Sequence, residues 1–533
     1  MHRISCFVIT FLACTSLHAA APYPPEPVPG ALVIVGGGKT PTAARDEFFK
    51  LAGGKDKARI IVVPSASADA GDAKKADEFL KGWKDLGPAS VEILHTRDRK
   101  QADDAAFVRP LTEATAIWFG GGDQKRLVAA YRGTAVEKEF HKLLARGGVI
   151  GGTSAGAAVM SDLMIEGGTD VAATGPGFGF LTGIVIDQHF VARNRIGRLR
   201  GVLEKNPSYA GLGIDEGTAV VVRGRIIKVV GDSSVTACWA KSANKPARED
   251  VLKAGGTLDL FQVRRAAEFR AMKPPFPPKD PPEPVVAKGS LVIVGGGGTT
   301  KEIMDRFFEL AGGKDALVVV VPIPNGDEAV PADPGDAKYL RKWGGTNVKV
   351  LHTRDRKVAD DPAFSKVLTE AKGVWFGGGR QWNFVDEYEG TLTEKRFREV
   401  LERGGVIGGS SAGASIQSQY MPRGHPLGNM VMAAEGYERG FGYLPGCAVD
   451  QHFFARKRPP DMTGLMKMYP QLLGIGLDES TAIIVTGHVA EVVGKTKVAF
   501  YDYRGGPPKG DTDYTEVPAG GKYDLKERKV IAK

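Results

Sequence analysis

Cysteine is scarce in this chain of 533 residues, which has four. Cys6 and Cys14 fall within the first fifteen residues, while Cys238 and Cys447 show no C-x-x-C spacing and occupy unrelated places in the repeat described below. Neither a disulfide scaffold nor a zinc site is expected. Charge is not concentrated either. The formal net charge is +9, from 71 Lys+Arg against 62 Asp+Glu without a dense basic block, so no nucleic-acid partner is expected. So small an excess fits acidic substrates or anionic surfaces only weakly. With 42% hydrophobic and 25% charged residues, disorder, collagen-like repeats and a membrane bundle are poor descriptions, and no membrane span is expected. Histidine is scarce too, at nine residues with two of them ahead of residue 20, which leaves few candidates for a general base.

What is present begins with a leader. His2 and Arg3 precede an apolar stretch over residues 4–17, and the small residues Ala19, Ala20 and Ala21 follow. This reads as a signal peptide over residues 1–21, with a mature, exported chain (periplasmic or extracellular) starting near Pro22. A buried first helix is the alternative, but the Pro-rich run after it would separate such a helix from the fold. Lipid attachment at Cys14 is a lesser alternative, because Phe11 is a poor opening residue for a lipobox.

The rest of the chain is written twice. LVIVGGG starts at Leu32 and Leu291, LHTRDRK at Leu94 and Leu351, WFGGG at Trp118 and Trp375, SAGA at Ser154 and Ser411, and DQHF at Asp187 and Asp450. The order is kept over about 250 residues, which is too long for a solenoid unit and long enough for a domain with its own core. The expected organisation is a first domain over residues 22–272, a stiff Pro-rich linker over 273–284, and a second domain over 285–533. A duplication fused in this way is expected to pair as an intramolecular pseudo-dimer.

Within the first copy, residues 31–37, 59–64, 90–95, 116–121 and 148–152 read as buried parallel strands, separated by amphipathic stretches such as TAARDEFFKLAGG. Such alternation predicts a doubly wound α/β layer structure with a mostly parallel sheet. Residues 218–231 read as an antiparallel hairpin at the sheet edge or as an added small sheet. The glycines at 36–38 read as a tight strand-to-helix turn; GGGKTP lacks the full G-x-G-x-x-G and is not a phosphate-binding loop.

GGTSAGA around Ser154 and GGSSAGA around Ser411 both satisfy G-x-S-x-G, in which a strand ends, the chain turns through a crowded corner at the serine, and a helix begins. The serine is the candidate nucleophile, and the N–H of Ala155 (Ala412 in the second copy) faces the developing oxyanion; the second donor is expected from WFGGG, near Gly122 (Gly379). A serine needs a base. Only His95 with His352 and His189 with His452 recur between copies, and His189 is preferred because it sits in a polar cluster just past a buried run. Glu216 and Glu479 are the first choice for the orienting acid, with Asp215 and Asp478 second; Asp170 has no counterpart, Leu427 standing in its place.

GGTSAGAAVMS, GGGDQKRL, DQHFVARNRIGRL and GLGIDEGTA together resemble the cyanophycinases and the related aspartyl dipeptidases of the peptidase E group, over nearly all of each half. The resemblance implies two tandem domains similar to class I glutamine amidotransferases (flavodoxin-like, three layers). It implies a serine exopeptidase releasing β-aspartyl-arginine dipeptides from cyanophycin, a poly-aspartate carrying arginine on its β-carboxylates, with neither metal nor other cofactor. Carried over by motif, Ser154, His189 and Glu216 are catalytic, and Gln124, Asp187, Gln188, Arg193, Arg195 and Arg198 line the substrate pocket, where guanidinium forks suit carboxylates. The second copy keeps Ser411, His452, Glu479, Gln381, Asp450, Gln451, Arg456 and Arg458. Asp461 replaces the third arginine, Arg380 replaces Asp123, and the Ser411–His452 interval is six residues longer, so altered specificity or a mainly binding role is expected there. Aspartyl dipeptidase action on short peptides and non-catalytic peptide binding remain the alternatives.

Overall fold

A computed structural model describes residues 26–323, 329–508 and 510–532. The leader over residues 1–21, its cleavage near Pro22 and Cys14 lie outside the described residues. Within the first copy, the five apolar runs form strands β1 (Val28–Val35), β2 (Arg59–Val63), β3 (Ser90–Ile93), β4 (Ala116–Phe119) and β5 (Val149–Thr153), hydrogen-bonded in the parallel order β3-β2-β4-β5-β1. The near-continuous burial of β2, β4, β5 and the second half of β1 has a simple cause: successive side chains point to opposite faces, and both faces are covered. By contrast β3, expected to be buried, lies at the sheet edge and none of its four residues is buried. Along β4, Ile117 and Phe119 enter a core with Leu127, Phe140 and Leu143, while Ala116 and Trp118 enter another with Phe48 and Trp83. Helices lie on both sides of the sheet, giving three layers.

The free edge of β1 is extended by antiparallel strands, so that Thr218–Gly224, Ile226–Gly231 and Thr257–Asp259 complete an eight-stranded sheet. Residues 218–231 thus form the expected hairpin, seated on the main sheet. Four further strands, Ile184–Gln188, Ala210–Ile214, Ser234–Trp239 and Arg248–Lys253, make a second sheet that the sequence did not announce. The second copy repeats the plan with nine and five strands. Two α/β units of one flavodoxin-like design therefore stand in tandem. No helix among the described residues is long and apolar enough to cross a membrane.

The halves are joined by charge. The helix Leu260–Ala271 of the first half is buried through Arg270, and its arginines reach acids of the second half: Arg265 donates to Glu389 at 2.7 Å and Arg270 pairs with Glu435 at 2.9 Å. Arg225 donates to Asp386 at 2.9 Å. These contacts are not mirrored. The positions equivalent to Arg225 and Asp386 in the opposite halves are His488, half-exposed beside Asp524 of its own half, and Ala129, which is exposed, so this contact has no two-fold mate. The Pro-rich stretch 273–284 packs instead of standing free: Phe276 stacks on Tyr420 with ring centroids 6.1 Å apart, and the Pro278 carbonyl accepts from Gln471.

Phe48 is fully buried and meets Trp83 and Trp118 at centroid distances of 4.9 and 5.1 Å. Phe48→Ala is expected to destabilise the first half by about 3–5 kcal/mol, read as a lower urea midpoint for that half.

Candidate active site

Ser154 sits at the corner between β5 and a short helix, Ala155–Ala158, with φ 52° and ψ −110°, and Ser411 repeats this with φ 58° and ψ −111°. A non-glycine residue is strained there. Its neighbours explain how the corner closes: a Cβ on Gly152 would fall 2.5 Å from the Gly156 carbonyl oxygen, and one on Gly156 only 2.3 Å from that of Phe119. Only glycine at both places lets the strand end, the helix start and β4 meet.

The Ser154 Oγ lies 2.8 Å from His189 Nε2, and His189 Nδ1 lies 2.5 Å from Glu216 Oε1. In the second half the same distances are 2.9 Å for Ser411 to His452 and 2.7 Å for His452 to Glu479. Facing a carboxylate, Nδ1 carries the ring proton, which leaves the Nε2 lone pair to accept from the serine hydroxyl. Both histidines are largely buried. Burial lowers the pKa of His452 below the ordinary imidazole value; Glu479 pulls the other way and Arg456 and Arg458 add to the lowering.

The second-choice acids have a different task. Asp215 Oδ1 accepts from the backbone N–H groups of Val191 and Ala192, and its Oδ2 from the Ser233 hydroxyl, so it fixes the chain just after His189. Although burial raises its pKa, these donors outweigh burial and hold it below the usual carboxylate range. Asp478 accepts from Phe454 and Ala455 in the same way. Asp170 is exposed. His95 belongs to a separate cluster, with Ser65 Oγ at 2.8 Å and Tyr131 beyond it at 2.7 Å. That serine is Ile323 in the second half, where His352 lies 3.7 Å from Glu387, whose burial pushes its carboxyl up to about 9.

Ala155 and Ala412 occupy the first position of their short helices, and Gly122 and Gly379 the loop beside the serines, with φ of 138° and 148°. Gly122, Gln124, Ser154, Gln188, His189, Arg193, Arg195 and Arg198 line one cavity of about 330 Å³. The second, about 500 Å³, is lined by Gly379, Gln381, Ser411, Gln451 and Arg456, together with Arg380, Trp382, Pro426 and Asn429.

Some expected pocket residues stand behind the wall, and others line it with their polar groups already engaged. Asp187 and Asp450 have no exposed surface, which removes them from direct contact with any ligand. Arg198, 3% exposed, forks onto Asp187 through Nε and a terminal N–H, so its charge is already matched. Arg195 donates to the Gln188 carbonyl, while Arg193 is exposed. Gln124 donates to the carbonyls of Ile165 and Glu166, and Gln381 to those of Pro422 and Arg423, tying the neighbouring loop to the helix start. Arg458 is buried against Asp450 and Gln451.

The loss of the third arginine in the second half is compensated. Arg423, inside the longer interval, donates to Asp450 at 3.1 Å and to Asp461 at 2.6 Å, so a guanidinium from another segment fills the place of Arg198 and Asp461 balances it. Sequence comparison at fixed offsets could not find it, because the replacement comes from elsewhere in the chain. The first glycine cluster was also missed as part of the site. A Cβ on Gly37 would lie 2.2 Å from His189 Cε1, and one on Gly38 3.3 Å from Glu216 Oε2; Gly296 and Gly297 bear the same relation to His452 and Glu479. The recurrence of LVIVGGG in both copies was the available signal.

The profile described as "Peptidase family S51" matches residues 32–230 and again 290–493. The cyanophycinase of Nostoc sp. (strain PCC 7120 / SAG 25.82 / UTEX 2576) is 35% identical over 225 residues, covering 40% of this chain and 74% of that protein. The cyanophycinase of Geminocystis herdmanii (strain PCC 6308) is 30% identical over 221 residues, covering 40% and 81%. Among solved structures, a peptidase from an acI-B1 Actinobacterium aligns at 24% identity and a TM-score of 0.35, over 44% of this chain and 98% of that one.

Gly37→Ala is expected to push the imidazole away, since the added carbon overlaps the ring and φ at this position is 119°. A crystal structure of the variant should show Ser154 Oγ and His189 Nε2 more than hydrogen-bonding distance apart; an unmoved ring would contradict the account given for this glycine.

Proposed function

The chain belongs to peptidase family S51, and from that premise we propose that this serine peptidase hydrolyses cyanophycin to β-aspartyl-arginine dipeptides, with Ser154 and Ser411 as nucleophiles. The observation that carries the reading is the Ser–His–Glu hydrogen-bonded chain, formed twice with nearly the same distances. The cyanophycinase relatives support the substrate, and the leader over residues 1–21 supports export.

In the proposed reaction the serine Oγ attacks the scissile carbonyl carbon while its proton passes to Nε2 of His189. Glu216, on the far side of the ring, stabilises the imidazolium that results and fixes its orientation. The N–H groups of Ala155 and Gly122 receive the oxyanion. When the tetrahedral intermediate collapses, the C–N bond breaks and the imidazolium gives its proton to the leaving amine. Water, deprotonated by the same ring, then attacks the acyl-serine ester and frees the acid. His452, Glu479, Ala412 and Gly379 perform the same steps around Ser411.

Recognition of the polymer's carboxylates falls to the exposed guanidiniums at each cavity, Arg193 in the first half and Arg456 in the second, with Arg195 beside Arg193 but held by Asp187 and the Gln188 carbonyl. Arg198, Arg458 and Arg423 serve by holding Asp187 and Asp450, and these acids in turn brace the strand ends that carry the histidines.

Incubation with insoluble cyanophycin and with aspartyl dipeptides, followed by product analysis, tests the reading. Soluble β-aspartyl-arginine is expected from the polymer, with each of Ser154→Ala and Ser411→Ala retaining the activity of the other site and the double variant falling by about 10⁴-fold or more. Cleavage of dipeptides alone would refute the polymer as substrate, and full activity in the double variant would refute both nucleophiles. A second expectation concerns pH. Because burial keeps His452 neutral to lower pH, the acid limb of kcat/KM in the Ser154→Ala chain should have its midpoint below the ordinary imidazole value of about 6.5, activity being lost only as pH falls through the lowered pKa.

A further inference from the structure

The second cavity differs from the first along two stretches of wall, and both rest on residues of the other half. Trp382 stands where the first half has Lys125. Its ring lies 4.4 Å from the guanidinium carbon of Arg225, a first-half residue that also meets Phe261 at 4.5 Å. Arg225 is fixed by Asp259 through two donors and in turn donates to Asp386, one turn beyond Trp382 on the helix Gln381–Tyr388. The indole is therefore backed by a cation whose direction is set by two carboxylates.

The second stretch is residues 421–438, which supply Pro426 and Asn429 to the cavity and Arg423 to Asp450. Its far end is gripped by the first half. Buried Glu435 pairs with Arg270 at 2.9 Å and Arg248 at 3.2 Å, and its carbonyl accepts from Gln262 at 2.9 Å. The Gly436 carbonyl accepts from Arg265 at 2.7 Å, and Glu438 takes Lys245. The approach is so close that a Cβ on Gly436 would fall 2.7 Å from the Ala266 nitrogen. The corresponding wall of the first cavity, the hairpin Leu163–Gly167 with Ala173–Pro176, is tied by Gln124 and Arg198 of its own half.

The geometry points to Arg225 and the Arg270–Glu435 pair as positioning residues for substrate binding at the second site: that cavity is shaped by both halves, whereas among the described residues the lining of the first comes from its own half. This rests on the reading of Ser411 as a working nucleophile. None of these groups touches the reacting atoms. A loosened wall weakens the ground state and the transition state alike, so the effect is expected in KM with kcat nearly unchanged.

Arg225→Lys keeps the charge but loses the planar fork, and Glu435→Gln keeps the shape but loses the charge. Each is placed in a Ser154→Ala chain and in a Ser411→Ala chain and assayed on a soluble β-aspartyl-arginine oligomer. KM is expected to rise about tenfold with kcat within about twofold in the first background, and neither to change in the second. Hydrogen exchange is expected to quicken over residues 421–438 and not over 163–176. Equal effects in both backgrounds, or unchanged KM and exchange, would overturn the proposal. If the Ser154→Ala chain turns over nothing, the reading of Ser411 falls. The positioning claim is then decided by exchange and by equilibrium binding of the β-aspartyl-arginine dipeptide to that chain: loss of affinity with faster exchange upholds it, and no change in either overturns it.

Discussion

Three stretches of each half, far apart in the chain, must pass within hydrogen-bonding distance of one another at the carboxyl ends of two different sheets, and glycine is what lets them pass. The Gly36 carbonyl accepts from His189 at 2.6 Å, the Gly37 carbonyl accepts from Gly217, and the ring of His189 fills the space that a side chain at 37 would take. Meanwhile Ser154 donates its own backbone N–H to Val35. The end of β1 is thus the post around which serine, histidine and glutamate are arranged. Strained backbone at Ser154 and His189, both with φ near 50°, is held by these crossings.

Against that shared centre, the two copies have diverged in how they support it. Both keep a buried carboxylate two residues before the histidine and satisfy it with guanidinium, as a buried charge requires. The donor moved from the helix after the histidine to the interval before it, and an acid appeared where the arginine had been. Each buried carboxylate keeps two guanidiniums, Arg195 and Arg198 on Asp187 and Arg423 and Arg458 on Asp450, although Asp461 makes the second cluster one charge more negative. The Ser65–His95 contact was not retained in this way; Ile323 leaves His352 beside a carboxyl that burial pushes up to about 9.

Much of this was legible in the sequence because the signals were local. Four of the five parallel strands contain apolar runs that stop at glycine, proline or a polar residue, and burial agrees with them; β3, with Ser90 and Glu92, is the exposed-edge exception. The serine corner carries its own small-residue signature, and the recurrence of His189 and Glu216 at one offset identified the partners brought together around it. What could not be read was non-local. The role of Gly37 depends on which ring comes to lie over it, Asp215 on which N–H groups turn toward it, and Arg423 on a loop whose length changed between copies. Likewise, equal halves suggested a two-fold pairing, but whether Arg225 finds an acid across the contact is settled by Asp386, and its counterpart Ala129 offers none.

The polar joint between the halves is biased in sign: Lys245, Arg248, Arg265 and Arg270 come from one side and Glu389, Glu435 and Glu438 from the other, with Glu268 and Arg439 as the exceptions. Produced as separate pieces, the halves would attract one another before touching, and added salt would slow their reunion. Two copies of the carboxylate-bearing piece would repel through the same face, so the lesion of a severed chain is repaired by its complement and not by self-association.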